Sequence, residues 1–302
     1  MKVTIIGAGR VGATTAFLLL EKKLVEELLL IDVAVERAKG EALDLMHSTS
    51  SFGKKVKITG SGDYKDAAGS GIIVITAGIP RKMVDTRLDL LKKNTDIMKE
   101  IARGVKDHVK DAVILVVSNP VDVMTYVIQK TSGFEHQRVL GLGTMLDSIR
   151  LKSIIAEKMN IKPSDVYAIM LGEHGDSMFM ARTQTFIKGK SIYDTDLLPK
   201  EELGKIEEEV KTSAMEVIKL KGPTYYAPAT AIAEVLDSII GDKNNILPVS
   251  IYSKEHGIYI SSLARVGWFG VRPAITQLNN EEKKLFNQSA EILKKACAET
   301  GV

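Results

Sequence analysis

His174, in the stretch LGEHGDS (171–177), is the residue of this chain best suited to moving a proton. A histidine with an ordinary pKa of about 6.5 can take up and return a proton near neutrality. It follows the apolar run VYAIML, and the glycines on either side let the backbone turn sharply. Taken alone it is either a loop histidine or an acid/base. His47, His108, His136 and His256 fall in helical segments or polar turns and read as solvated. Asp147 and Arg150 stand three apart in GLGTMLDSIR, on one face of an expected helix. They are either a local ion pair or a carboxylate and a guanidinium turned toward a ligand. Asn119, in VSNPVD, either caps a helix starting at Pro120 or sits at a site beyond the end of a strand. In GIPRKMVDTR (78–87), Arg81, Lys82 and Arg87 follow an apolar run, with one acid, Asp85, among them.

The elements that position these residues are readable. Apolar runs at 2–6, 28–32, 55–59, 71–77, 112–118 and 138–143 lack polar alternation, as strands covered on both faces do. Helical patterns separate most of them, so the first half is expected to form a doubly wound parallel sheet, an α/β fold. In such a sheet ligands lie outside the carboxyl ends of the strands. Arg81, Arg87, Asn119, Asp147 and Arg150 all follow such ends. The second half changes character. A helix near 145–159 precedes the strand DVYAIML, then a hairpin turning at Lys188-Gly189, a charged helix (200–219) and an apolar one (225–240). ILPVSIY and GIYISSLARV are expected to pair antiparallel, and a helix closes the chain with Cys297 on its apolar face. The boundary is placed at 143, giving a first domain of 1–143 and an α+β domain of 144–302.

Bulk properties exclude several classes. The chain has 302 residues, 45% hydrophobic and 26% charged, with 41 basic against 38 acidic side chains. That balance gives no basis for nucleic-acid or anionic-membrane partners. One cysteine rules out an internal disulfide framework and suits a reducing compartment. The amino terminus lacks a signal-peptide pattern and no stretch is apolar for long enough to span a bilayer, so a cytoplasmic protein is expected.

The amino terminus carries IIGAGRVG, with Gly7, Gly9 and Gly12 in G-x-G-x-x-G spacing between a strand and a helix. In that context Gly7 makes the turn, Gly9 leaves room for a pyrophosphate, and Gly12 lets helix and strand pack closely. Asp32 lies twenty residues beyond Gly12, at the end of the second strand, where it can accept hydrogen bonds from an adenosine ribose. Its charge would meet a 2′-phosphate unfavourably, which favours NAD over NADP, although Arg37 and Lys39 are close in sequence.

With these pieces in place the sequence closely resembles the lactate/malate dehydrogenase family. GAGRVG, GIPRK…TRLDLLKKN, VSNPVDV, GLGTMLDSIR and LGEHGDS occur in that family's order and approximate spacing, over nearly the whole chain. The likeness is greatest to the lactate-dehydrogenase-like malate dehydrogenases. It implies a Rossmann NAD-binding domain, an α+β substrate domain, and a homotetramer or homodimer. It implies His174 as proton donor and acceptor, Asp147 orienting its imidazole, and Arg150 holding the substrate's first carboxylate. On the same basis Arg87, on a mobile loop, polarises the reacting carbonyl, Asn119 contacts substrate oxygen and cofactor, and Thr224 lines the substrate pocket. Cofactor contacts are expected at Gly7, Gly9, Arg10, Val11, Gly12, Asp32, Ala77, Gly78, Asn94, Val117 and Asn119, and no metal is implied.

Arg81 occupies the family's discriminating position, where enzymes acting on lactate commonly carry Gln and those acting on malate carry Arg. A dicarboxylate gives this guanidinium a partner. Closing the site over pyruvate would bury it unpaired, at a cost of ~3 kcal/mol or more, at least about a hundredfold in preference. The expected activity is therefore the NAD-dependent interconversion of malate and oxaloacetate. Its rivals are an L-lactate or broad 2-hydroxyacid dehydrogenase and a non-enzymatic NAD-binding sensor. The chain departs from the family at Met83-Val84-Asp85, where a glycine is usual; Val84 is stiffer, and Asp85 brings a negative charge near both arginines.

Overall fold

The computed structural model describes residues 1–79, 87–195 and 197–302, with the backbone alone at 87–90. Its first half runs β1 (Lys2–Ile6), α1 (Arg10–Glu21), β2 (Glu27–Ile31), α2 (Val35–Phe52), β3 (Lys57–Ser61), β4 (Ile72–Ile75), α3 (Arg87–His108), β5 (Val113–Val116), α4 (Val121–Ser132) and β6 (Val139–Gly141). The strands are apolar at nearly every position because each face has its own core. Val3, Ile5, Leu28 and Leu30 pack with α1 and α2, while Ile6, Leu29 and Ile31 pack with α3 and α4. Successive strand residues point to opposite faces, so layers on both sides are required. Ile72 to Ile75 are completely buried, and each such side chain contributes about 1.5–3 kcal/mol. The six strands pair in parallel in the order β3-β2-β1-β4-β5-β6. The order reverses between β1 and β4, which opens a crevice at their carboxyl ends.

The second half comprises α5 (Met145–Lys158), β7 (Val166–Tyr167), β8 (Met170–Leu171), β9 (Phe179–Met180), β10 (Phe186–Ile187), β11 (Lys190–Ser191), α6 (Lys200–Lys221), α7 (Tyr226–Ile240), β12 (Asn245–Ser253), β13 (Ile258–Gly267), β14 (Gly270–Pro273) and α8 (Asn280–Ala298). The β10–β11 hairpin turns at Lys188 and Gly189, both with positive φ, as expected of a two-residue turn of this hand. The expected β12–β13 pair is present, and Cys297 is buried on α8.

Two features differ from the sequence expectation. DVYAIML is not one strand: β7 pairs with β10, and β8 with β9. Val166, Ala168 and Met170 face a core under α5 and α6, whereas Ile169 and Leu171 face Phe179 and Leu263, so the segment changes partner midway. The second difference is that β12, β13 and β14 join the first sheet, through pairing of Ser250 with Gly141. Among the described residues nine strands thus form one mixed sheet. Gly141 permits the approach, since a Cβ there would lie 2.5 Å from Thr125 Oγ1 and 2.9 Å from Ser250 Cβ.

Candidate functional site

The β1–α1 turn is shaped by absent side chains. Gly7 has φ +111°, and a Cβ on it would lie 2.6 Å from the Ala77 nitrogen. A Cβ on Gly12 would overlap the Gly7 carbonyl oxygen, whereas one on Gly9 would meet nothing within 4 Å among the described residues. The turn is therefore packed against β4 behind and open in front, at the amino terminus of α1. Asp32, just past β2, accepts the Ala8 N–H through Oδ2 at 2.8 Å and the Ala34 N–H through Oδ1 at 2.9 Å. It thus braces the glycine turn, a contact its sequence position did not announce. Of the nearby cations, Lys39 pairs with Glu36 at 2.9 Å, and Arg37 is exposed in the first turn of α2.

The ends of β4 and β5 are tied together by Asn94 of α3. Its Oδ1 accepts the Ile79 N–H at 2.9 Å and its Nδ2 donates to the Asn119 carbonyl at 2.8 Å. Asn94 is buried, so it holds the crevice wall in place. Ala77 is half-buried, Gly78 and Asn119 are exposed at the strand ends, and Val11 and Val117 pack against the core under α1. Across the crevice, Thr224 is half-buried in the α6–α7 turn. The next residue, Tyr225, carries Arg10 over its ring at 5.7 Å and Lys221 at 3.7 Å, so this turn stands against the glycine loop.

The structure brings His174, Asp147 and Arg150 together. Asp147, in the first turn of α5, is completely buried. Its Oδ2 lies 2.5 Å from His174 Nδ1, and its Oδ1 accepts from Arg150 Nη1 at 3.1 Å. The register of α5 against β8 is fixed by the Ser148 hydroxyl, which accepts the Met170 N–H at 2.9 Å, and by Thr144, which donates to the Met170 carbonyl at 2.6 Å. Burial alone would lower the His174 pKa. The Asp147 charge and hydrogen bond, with a contribution from Asp122, outweigh it, so the ring holds its proton above the ordinary histidine value. Burial likewise opposes ionisation of Asp147, but His174 and then Arg150 hold its carboxyl below the usual range.

Two residues of this corner went unseen in the sequence. Asp122 of α4 accepts the His174 backbone N–H at 2.8 Å, and Ser250 of β12 donates to Asp122 at 2.5 Å. One signal was available: Asp122 stands between Val121 and Val123 at the head of a largely apolar helix, VDVMTYVI, where a core-facing acid needs a partner. His136 also differs from its solvated reading. It stacks on Tyr252 at 3.6 Å and contacts the Tyr259 hydroxyl at 3.3 Å. His256 is half-buried against Ser253 and Asn287, while His47 and His108 are exposed. Arg81, its flank Lys82, the Met83-Val84-Asp85 stretch and the side chain of Arg87 lie outside the described residues.

Comparison with known proteins agrees with this geometry. Residues 1–141 match the model for the lactate/malate dehydrogenase NAD binding domain, and residues 144–301 match that for the lactate/malate dehydrogenase alpha/beta C-terminal domain. The chain belongs to the lactate/malate dehydrogenase family. It is 43% identical to an L-lactate dehydrogenase of Clostridium botulinum, over 97% of this chain and 95% of the relative. Among solved structures it resembles a lactate dehydrogenase from a Medee basin deep-sea metagenome library, with TM-score 0.95, 36% identity, and coverage of 100% of this chain and 99% of that one. It also resembles the malate dehydrogenase of Archaeoglobus fulgidus in complex with NADH, with TM-score 0.91, 38% identity, and complete coverage of both chains. As in the family's NAD-binding domain, the cofactor of this dehydrogenase is NAD, and the loop fits it: open space stands before Gly9 at a helix amino terminus, with Asp32 fixed beside it.

Proposed function

We propose that this family member is a malate dehydrogenase, interconverting (S)-malate and oxaloacetate, and that His174 is its acid/base. The feature that carries the substrate choice is Arg81, six residues past β4 in the chain, at the sequence position where the family resemblance expects the counter-ion of a second substrate carboxylate. Asp147 occupies His174 Nδ1, which leaves Nε2 to take the hydroxyl proton of malate or return one to the carbonyl oxygen of oxaloacetate. Bound NAD supplies the partner for hydride transfer. Arg150 offers a planar fork to the carboxylate beside the reacting carbon, and its hold on Asp147 sets that fork in register with the imidazole. Arg87 meets the negative charge that grows on the carbonyl oxygen during reduction. Asn119 and Thr224 complete the pocket at the β5 end and the α6–α7 turn.

A second reading, L-lactate and pyruvate, is favoured by the name of the Clostridium relative. NADH oxidation with oxaloacetate and with pyruvate separates the two. Oxaloacetate should be preferred by at least about a hundredfold in kcat/KM, and Arg81→Gln should erase most of that preference. Equal or better turnover of pyruvate by the unaltered enzyme would overturn the malate reading. The reading includes a cytoplasmic homotetramer or homodimer. Phe17 on α1 and Leu43 and Met46 on α2 are exposed apolar side chains suited to a subunit contact, which light scattering tests.

A further inference from the structure

Asp122 is 2% exposed in the first turn of α4. An acid there often serves a helix end, yet no side chain caps α4, and both Asp122 oxygens are engaged elsewhere. Oδ2 takes the backbone N–H of His174, and Oδ1 takes the hydroxyl of Ser250, which is completely buried. A buried carboxylate costs several kcal/mol unless its partners offset it. Here the partners are the acid/base loop on one side and β12 on the other.

We propose that Asp122 is a positioning residue of the reaction, fixing the His174 backbone and placing a second negative charge beneath the imidazolium. This rests on the acid/base role proposed for His174. Groups from four elements face the pair. Asp147 and Arg150 come from α5, Glu173 from the His174 loop, Ser250 from β12, and Cys297 from α8. Asp147 and Asp122 favour the protonated ring, and Arg150 opposes it. Burial pushes the Asp122 carboxyl up to about 6, with Glu173 adding to the rise and Ser250 and the His174 N–H opposing it. Cys297 is pushed up to about 12 and stays neutral. Above about pH 6 Asp122 is therefore ionised and supports the imidazolium. Below it Asp122 takes up a proton and that support is withdrawn, so the two titrations are coupled.

Asp122→Asn keeps an oxygen for the His174 N–H and turns an amide toward Ser250, but removes the charge. In a titration of protein carrying 15N-labelled histidine, with His174→Ala to assign the signal, Asp122→Asn should lower the His174 pKa by about one unit. Ser250→Ala removes a bond that favours ionised Asp122, so it should shift His174 the same way by less. The pH profile of NADH-driven reduction should move down in parallel. A folded Asp122→Asn whose His174 pKa stays within about 0.2 unit of the parent would overturn the proposal, because packing alone predicts lost rate without a moved titration. If Asp122→Asn does not fold, the same criterion applied to Ser250→Ala decides. The titration needs no turnover. A chain that reduces neither oxaloacetate nor pyruvate yet shows the shifts keeps this electrostatic arrangement and loses the proposed reaction.

Discussion

Around Gly7, Gly9 and Gly12 the chain shapes its crevice by leaving side chains out; around His174 it does so by burying charges. The glycine loop depends on backbone sterics: a positive φ at Gly7, contact between Gly12 and Gly7, and open space before Gly9. Such a loop is made within one stretch of chain. At the histidine corner, a protonatable ring meets two buried carboxylates and a guanidinium from α4 and α5, with β12 underneath. Each charge there is tolerable because hydrogen bonds hold it, Asp147 by His174 and Arg150 and Asp122 by the His174 N–H and the Ser250 hydroxyl, so the corner exists only once the fold has closed. The first region should therefore fail by losing shape and the second by losing charge balance.

The largest effect is expected where charge balance and chemistry coincide. His174→Ala should lower kcat about 10²–10⁴-fold while leaving NADH affinity near the parent value, as read by turnover and by fluorescence titration. With His174 as the proposed acid/base, the reducing direction needs the imidazolium. Because the His174 pKa is raised, reduction should persist above pH 6.5 and decline as pH rises through the folded value. Substantial turnover by His174→Ala would remove that side chain from its role. Gly12→Ala probes the other region with the opposite signature. Its Cβ would overlap the Gly7 carbonyl oxygen, a backbone atom with no way to swing aside. NADH affinity should fall about tenfold to a hundredfold, with kcat at saturating NADH changed far less. A drop in kcat without loss of NADH affinity would show that the loop and the histidine corner are not separable in this way.

The same contrast explains what was legible in the sequence. The glycine turn, β1 to β6 and α1 to α4 could be read because their signals are local: glycine spacing, apolar runs and helical periodicity. Asp147 with Arg150 was legible too, being one helical step apart. Asp122 and Ser250 were not, because their partners lie 52 and 128 residues away along the chain. The division of DVYAIML between β7 and β8 has the same origin, since neighbours distant in sequence decide where each pair of residues bonds. His136 read as solvated because its ring partners, Tyr252 and Tyr259, come from the distant strands β12 and β13. The union of β12 with β6 follows from small residues meeting at Gly141 and Ser250, a fit that no strand pattern announces.

The smallest expected effect falls on Asp32, which joins the two ways of building. It is a charge, but it sits in the glycine region and both its oxygens hold backbone N–H groups there. It can therefore act as a brace for the turn, as a partner for the ribose, or as both. Asp32→Asn keeps one acceptor oxygen and removes the charge. If the charge selects the cofactor, kcat/KM with NADH should fall about tenfold and the value with NADPH should hold or rise, because repulsion of a 2′-phosphate is relieved. Arg37, exposed in the first turn of α2, is then the candidate cation for that phosphate, whereas Lys39 is already paired with Glu36. Adding Arg37→Ala should take back most of the NADPH gain. If NADH and NADPH lose activity in equal proportion, Asp32 acts only by holding Ala8 and Ala34, and the glycine region owes its selectivity to shape alone.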